Sequence, residues 1–241
     1  MGHEVQFSWA SFIPFLKDLP PHVSNGIIVS IILLVIVIIA YRQLKKSEND
    51  IVPASRFSFR NLMELILEFL SNLVNETMGP RGAEFMLIIG TLALFILFNN
   101  LSGLIPGFLP ATDNTNTTFA CSITVFLLTH IYGLREHGLK YLKHFIFINP
   151  SWPWPANALI SILMCPIELI GHFARPLSLG LRLFGNILGD HKVTAIFFGL
   201  VPLLLPLPFM ILGLFVCFVQ AFVFILLSMI YFSGAIAHEE H

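Results

Sequence analysis

"VSNGIIVSIILLVIVIIAY", residues 23–41, carries no charged residue. It is long enough to cross a bilayer, whose hydrocarbon core takes about 20 apolar residues per helix. The basic run "RQLKK" follows at 42–46, where a span meets water. A chain that opens this way is dissolved in lipid, and its composition agrees. Of 241 residues, 56% are hydrophobic and 11% charged, with mean hydropathy +0.83. Soluble domains carry about 25% charged residues. The net charge of −1 gives no reason to expect a nucleic-acid partner.

Working outward, residues 85–112 are also uncharged, and 85–107 reads as a second span. The polar stretch "ATDNTNTT" at 111–118 reads as a loop, and 119–134 as a third, short span. A long apolar region covers 156–200. "VPLLLPLP" then interrupts the chain, because proline removes a donor and clashes with the preceding turn. The last segment covers 209–237, and 193–237 contains no charge at all. Between the first two spans lies 61–78, "NLMELILEFLSNLVNETM". Its Glu64, Glu68, Ser71, Asn72 and Asn75 recur at helical spacing, so it reads as an amphipathic helix on the membrane surface, on a partner or on its own protein.

The fold class is therefore an all-α integral membrane protein of about five crossings plus this surface helix. The 156–200 and 209–237 helices form a long hairpin. At about 1.5 Å per residue, 45 residues reach about 68 Å, over twice the hydrocarbon thickness of about 30 Å. The first long helix must therefore tilt steeply or break near Pro166 or Pro176. Basic residues set the orientation. Arg42, Lys45, Lys46, Arg56, Arg60 and Arg81 fall in one loop, and Arg135, Lys140 and Lys143 in another. Both loops are expected in the cytoplasm. The N-terminus and Asp113 then face outward, and the tail "AHEEH" ends inside. The opening residues 1–22 lack a basic start followed by an apolar block, so no secretory signal is expected. No internal repeat supports an inverted-repeat transporter.

Charge inside the 156–200 region asks for a reason, since an arginine at mid-membrane costs about 2.5–3.5 kcal/mol on insertion scales. The region holds Glu168, His172, Arg175, Arg182, Asp190, His191 and Lys192. At 100° per residue, Glu168, Gly171, Arg175, Ser178, Arg182, Asn186 and Gly189 fall within about 40° of Arg182, one polar and small-residue stripe. Glu168 lies about 21 Å along the axis from Arg182, and Asp190 about 12 Å on the other side. Neither can pair with it within the helix, where partners stand three or four residues apart. In the last segment only Gln220 is polar near mid-span, hydroxyls aside. Arg182 thus pairs with a carboxylate on another helix, reaches a headgroup, or meets its partner on another protein.

The three cysteines, Cys121, Cys165 and Cys217, lie in apolar segments without metal-ligand spacing, and they read as small buried residues. His130, His137 and His144 recur every seven residues, but Gly133 and Gly138 interrupt a metal-binding face. There is no HExxH, phosphate loop or GxSxG. Alternatives to a coupled machine are a stand-alone ion channel or secondary transporter, which would conduct without partners, and an assembly subunit, which would tolerate Arg182→Ala.

"ARPLSLGLRLFGN" at 174–186, "LFILFNNLSGLIPG" at 94–107 and "QAFVFILLSMIYFSGAIAHEEH" at 220–241 resemble the a subunits of rotary F-type ATP synthases, in the same order. The resemblance implies proton translocation through two offset half-channels against a ring of c subunits, each with a carboxyl group in the membrane. It implies a b-subunit peripheral stalk and the remaining synthase subunits as partners, besides lipid and protons. It implies no cofactor and no metal, no nucleotide site on this chain, and a bacterial inner membrane. Arg182 matches the family's essential arginine, Asn186 an asparagine one turn later, and Gln220 a glutamine facing that arginine. Glu168 matches a carboxylate of the cytoplasmic half-channel. Asp190 and His191 occupy the place of an outer relay group. His191 stands where a glutamate is common and Gly213 where a histidine is common, so either Asp190 or His191 is the relay. Asp113 matches a frequent aspartate. Gly185, Gly189 and Ser178 would let the ring approach closely.

Overall fold

A computed structural model describes residues 19–46, 59–105, 108–138, 141, 154–200 and 206–236. Every regular element among them is helical. Helix α1 spans Pro21–Lys46, α2 Phe59–Met78, α3 Met86–Ser102, α4 Thr115–His137, α5 Trp154–Leu200 and α6 Pro206–Ile236. Short 3-10 stretches occupy Gly79–Phe85 and Ala111–Asp113.

Among the described residues, four stretches are long and apolar enough to cross a membrane: Pro21–Gln43, Arg60–Ser102, Thr115–His137 and Pro206–Ile236. In α1 most large apolar side chains are exposed, as expected of a helix solvated by lipid. Leu34 is 61% exposed, while Ser24 and Asn25 are buried. Asn25 Nδ2 donates to the Leu109 carbonyl at 2.5 Å and fastens α1 to the segment before α4.

Helix α2 covers the predicted amphipathic stretch and packs on its own protein. Leu70, Val74 and Met78, four residues apart, are buried in the core. Arg60 and Glu64 pair one turn apart at 2.7 Å. Gly79, with φ of +67°, turns the chain into the 3-10 stretch in the left-handed region that favours glycine. A Cβ on Gly82 would meet Val74 at 2.7 Å, so the turn lies directly on α2. Phe85 is then buried and stacks on Phe232 of α6 with ring centroids 5.1 Å apart. Arg81 pairs with Glu136 of α4 at 2.5 Å.

Helix α4 begins at Thr115, inside the stretch that the sequence reads as a loop. Asn114 caps it by accepting from the Asn116 N–H at 2.9 Å, the favoured device for an orphan donor. Its buried face is polar or small: Thr118, Ser122, Val125, Thr129 and Gly133. The hydroxyls of Ser122 and Thr129 donate to carbonyls of their own helix, so burial leaves no donor unmet.

Helix α5 is unbroken over 47 residues with Pro166 and Pro176 inside it. At about 1.5 Å per residue it reaches about 70 Å. Of the two sequence alternatives, tilt or a break, the break does not occur. Helix α6 runs antiparallel to it. Arg175 meets Tyr231, Asn186 meets Gln220, and Phe197 stacks on Phe209. Pro206 and Pro208 lie in the first turn of α6, where a missing N–H costs nothing. Leu179, Leu183 and Ile187 of α5 join Phe224, Met229 and Phe232 of α6 in the core that also holds α2, α3 and α4.

Candidate functional site

Helix α5 has two faces. Leu179, Leu183 and Ile187 are at most 2% exposed. About 100° around the helix from them, Arg175, Ser178, Arg182, Gly185, Asn186 and Gly189 are all exposed. The polar stripe read from helical phase is therefore the face that this chain leaves uncovered. Arg182 has no hydrogen-bond or ion-pair partner among the described residues. A Cβ built on Gly185 or Gly189 meets nothing within 4 Å. Asn186 Nδ2 donates to Gln220 Oε1 at 2.5 Å. These two residues thus hold each other across α5 and α6, rather than gripping the guanidinium. Gln220 is buried.

Toward the outer end, the structure brings together the candidates Asp113, Asp190 and His191. His191 Nε2 lies 3.1 Å from the Gly103 carbonyl, and its Nδ1 lies 3.7 Å from Asp113 Oδ2. Each ring nitrogen faces an oxygen, so whichever carries the proton has an acceptor before it. Asp190 projects to α6, over Gly213, and a Cβ at position 213 would collide with its carboxylate. The glycine thus vacates the place that the carboxylate fills. A cavity of about 600 Å³ opens here, lined by Gly103, Asp113, Asp190, His191, Lys192 and Met210 among others. Asp113 Oδ1, Asn25 Oδ1, Asn99 Oδ1 and Asn100 Nδ2 are buried at this end with no partner among the described residues. Such groups normally hold water.

Toward the other end stands Glu168, with an Oε1 3.8 Å from His172 Nε2. His172 is 8% exposed. Its ring meets that of His130 on α4 edge to face, with centroids 5.4 Å apart. His130 in turn meets the Tyr141 ring edge-on at 5.9 Å. Gly133 leaves room for Tyr141, whose ring lies 2.6 Å from where a Cβ would be. Burial pushes the Tyr141 phenol above its ordinary pKa, and the Arg175 charge draws it part of the way back. Arg175 lies over the Tyr231 ring at 5.5 Å, a cation–π placement.

The sequence did not reveal what His172, His130 and Tyr141 do together. A signal existed for His172: it shares the helical phase of Leu179, Leu183 and Ile187, so it points inward from a face otherwise apolar. Nothing in the sequence linked Asp113 to His191. No set of three or more His, Cys, Asp or Glu among the described residues is arranged to hold a metal ion.

Comparison with known proteins adds a separate line. Residues 25–233 match the family model described as ATP synthase A chain. "ATP synthase subunit a 1" of Syntrophotalea carbinolica is 50% identical over 220 residues, which cover 91% of this chain and 87% of that protein. "ATP synthase subunit a" of Geobacter sulfurreducens is 46% identical, over 95% of this chain and 97% of its own. The Bdellovibrio bacteriovorus protein of the same name is 42% identical over 98% of this chain and its own full length.

Proposed function

The chain belongs to the ATP synthase A chain family, and from that premise we propose that Arg182 is the charge that controls its proton traffic. The chain is a proton-translocating membrane subunit of the ATP synthase complex. The partner of the uncovered α5 face is a ring of c subunits, each presenting a carboxyl group. The b-subunit stalk holds the chain still against that ring. The chain lies in a bacterial inner membrane, with its N-terminus outside and its C-terminus in the cytoplasm.

One observation carries this reading. Arg182 is exposed and has no partner among the described residues, on a face that glycines leave bare. An unpaired charge in the membrane is tolerated when a counter-charge arrives from elsewhere. Arginine does not deprotonate in proteins, so it carries no protons itself. Its charge lowers the pKa of a carboxylic acid brought beside it, and the acid releases its proton. The same charge repels any proton moving directly between the two ends of α5. Asn186 and Gln220 fix the two helices at that depth. The outer path runs through the cavity at Asp113, Asp190 and His191, and the inner path past Glu168.

ATP-driven proton pumping by the reconstituted complex tests the assignment. Arg182→Ala is expected to abolish pumping and to let protons leak passively. Arg182→Lys is expected to fail as well, because a lysine point charge lacks the planar fork and loses its proton when desolvated. Arg175→Ala, which removes the contact with Tyr231, should slow pumping without stopping it. Near-normal pumping by Arg182→Ala vesicles would overturn the assignment.

A further inference from the structure

We propose that Asn25, Asn100 and Thr112 are positioning residues that hold Asp113 against His191, an inference that rests on the reading of the outer path through Asp113. The juxtaposition that carries it is the segment 109–114, gripped by four helices. Asn25 of α1 donates from Nδ2 to the Leu109 carbonyl at 2.5 Å. A Cβ on Gly26 would stand 3.2 Å from the Ala111 side chain, so α1 also lies directly on the turn that follows. The Thr112 hydroxyl donates to Asn100 Oδ1 of α3 at 2.9 Å. Asp113 then meets His191 of α5, with Oδ2 3.7 Å from Nδ1, and Asn114 caps α4. The Asp113 and Asn114 N–H groups donate back to the Pro110 and Ala111 carbonyls and close the turn.

Three observations support positioning over simple packing. First, Asn25 and Thr112 are 0% exposed and Asn100 2%. Leucine and valine would fill the same spaces with no polar group to desolvate, so these side chains serve the bonds they make. Second, α3 fixes both members of the pair. Its Gly103 carbonyl lies 3.1 Å from His191 Nε2, and Asn100, three residues earlier, holds Thr112, the neighbour of Asp113. One helix thus sets how far the carboxylate stands from the ring. Third, the gripping side chains are neutral. The charged or titratable groups that share the outer cavity with Asp113 are Asp190, His191 and Lys192, all on α5. Asparagine and threonine therefore fix the carboxylate in place without answering its charge, which stays available to α5.

Asn100 Nδ2 and Asp113 Oδ1 are buried with no partner among the described residues, one a donor and the other an acceptor. A water shared by two such groups satisfies both and adds a further tie to the same carboxylate. A reacting group held this way keeps its geometry from turnover to turnover, which a carboxylate on a free loop does not.

The test measures ATP-driven pumping by the complete complex in vesicles. Thr112→Val, Asn100→Leu and Asn25→Leu nearly keep the shape of the side chain, and each removes its bond. Each is expected to slow pumping about threefold, within the ceiling of about fivefold set by a partly exposed pair. Thr112→Ser keeps the hydroxyl and should recover most of the rate. The decisive readout is a double-mutant cycle with Asp113→Asn. Once the carboxylate is gone nothing is left to position, so Thr112→Val should cost no further rate in that background. A merely structural role would multiply the two losses to about tenfold. Such multiplication overturns the proposal, and so does parental pumping by all three single variants. Subunit content checks assembly. A variant that fails to assemble leaves the decision to the others, and failure of all three assigns them to folding and overturns the proposal as well. Asp113→Asn alone separates the two readings. If it pumps at the parental rate, the outer path does not use Asp113 and both readings fall. If it is slow while the losses multiply, only the positioning role falls.

Discussion

The two ends of α5 handle polar side chains in opposite ways. At the outer end Asp190 and His191 reach to α6 and to the Asp113 segment around a cavity of about 600 Å³. At the inner end Glu168, His172, His130 and Tyr141 are packed ring on ring, and the adjoining cavity is only about 10 Å³. The larger volume holds many waters and the smaller at most about one. Water fits the first place, whereas side chains fill the second. Arg182 stands between them, about 12 Å from Asp190 and about 21 Å from Glu168 along the axis. On the proposed reading, an access path can be built from space or from packed side chains, and one helix can carry both.

Three experiments strain this contrast, beyond those on Arg182. The largest effect is expected from Gly213→Val, whose side chain would occupy the place of the Asp190 carboxylate. Pumping should fall roughly hundredfold, the scale of losing a positioned acid or base. Adding Asp190→Gly to the same chain should not restore it, because the space is then free but the carboxylate is gone. A Gly213→Val chain that pumps at near-normal rates would show that the outer end does not depend on this fit. A smaller effect is expected from Asp113→Asn. The carboxylate and His191 are partly exposed, at 24% and 23% of their side chains. Such a pair is worth under about 1 kcal/mol, so the pumping rate should drop no more than about fivefold. A loss as large as that of Gly213→Val would place the main outer carboxylate at Asp113 instead. The smallest effect is expected from Leu87→Ala on α3. Leu87 is 80% exposed, so pumping and assembly should be unchanged. Any shift there would mean that α3 presents this face to a partner and not to lipid.

Much of the fold was legible because lipid imposes a coarse rule: a charge-free stretch of sufficient length becomes a helix. The rule blurred where polar residues served the helix itself. Thr115, Asn116 and Thr118 read as loop, although Asn114 caps the first turn and Thr118 donates back to the Thr115 carbonyl. The site was legible in one dimension. Helical phase collected Arg182, Asn186 and Gly189 on one face, and that face is exposed. Phase does not say which neighbour another helix offers. The meetings of Asp113 with His191 and of His172 with His130 join residues far apart in sequence, and no local pattern encodes them. Gly213 left the faintest mark, since its part is to be absent from the space Asp190 uses.

The bare strip at Gly185 and Gly189 has a mechanical meaning on the proposed reading. Two helices that interlock their side chains rest in a notch, and a buried leucine makes 40–60 contacts of about 0.1–0.2 kcal/mol each. Sliding one such surface past another means climbing out of that notch at every step. Backbone without side chains offers no teeth to catch. The strip would then work as a bearing, and the friction it removes is dissipation that the proton gradient need not supply.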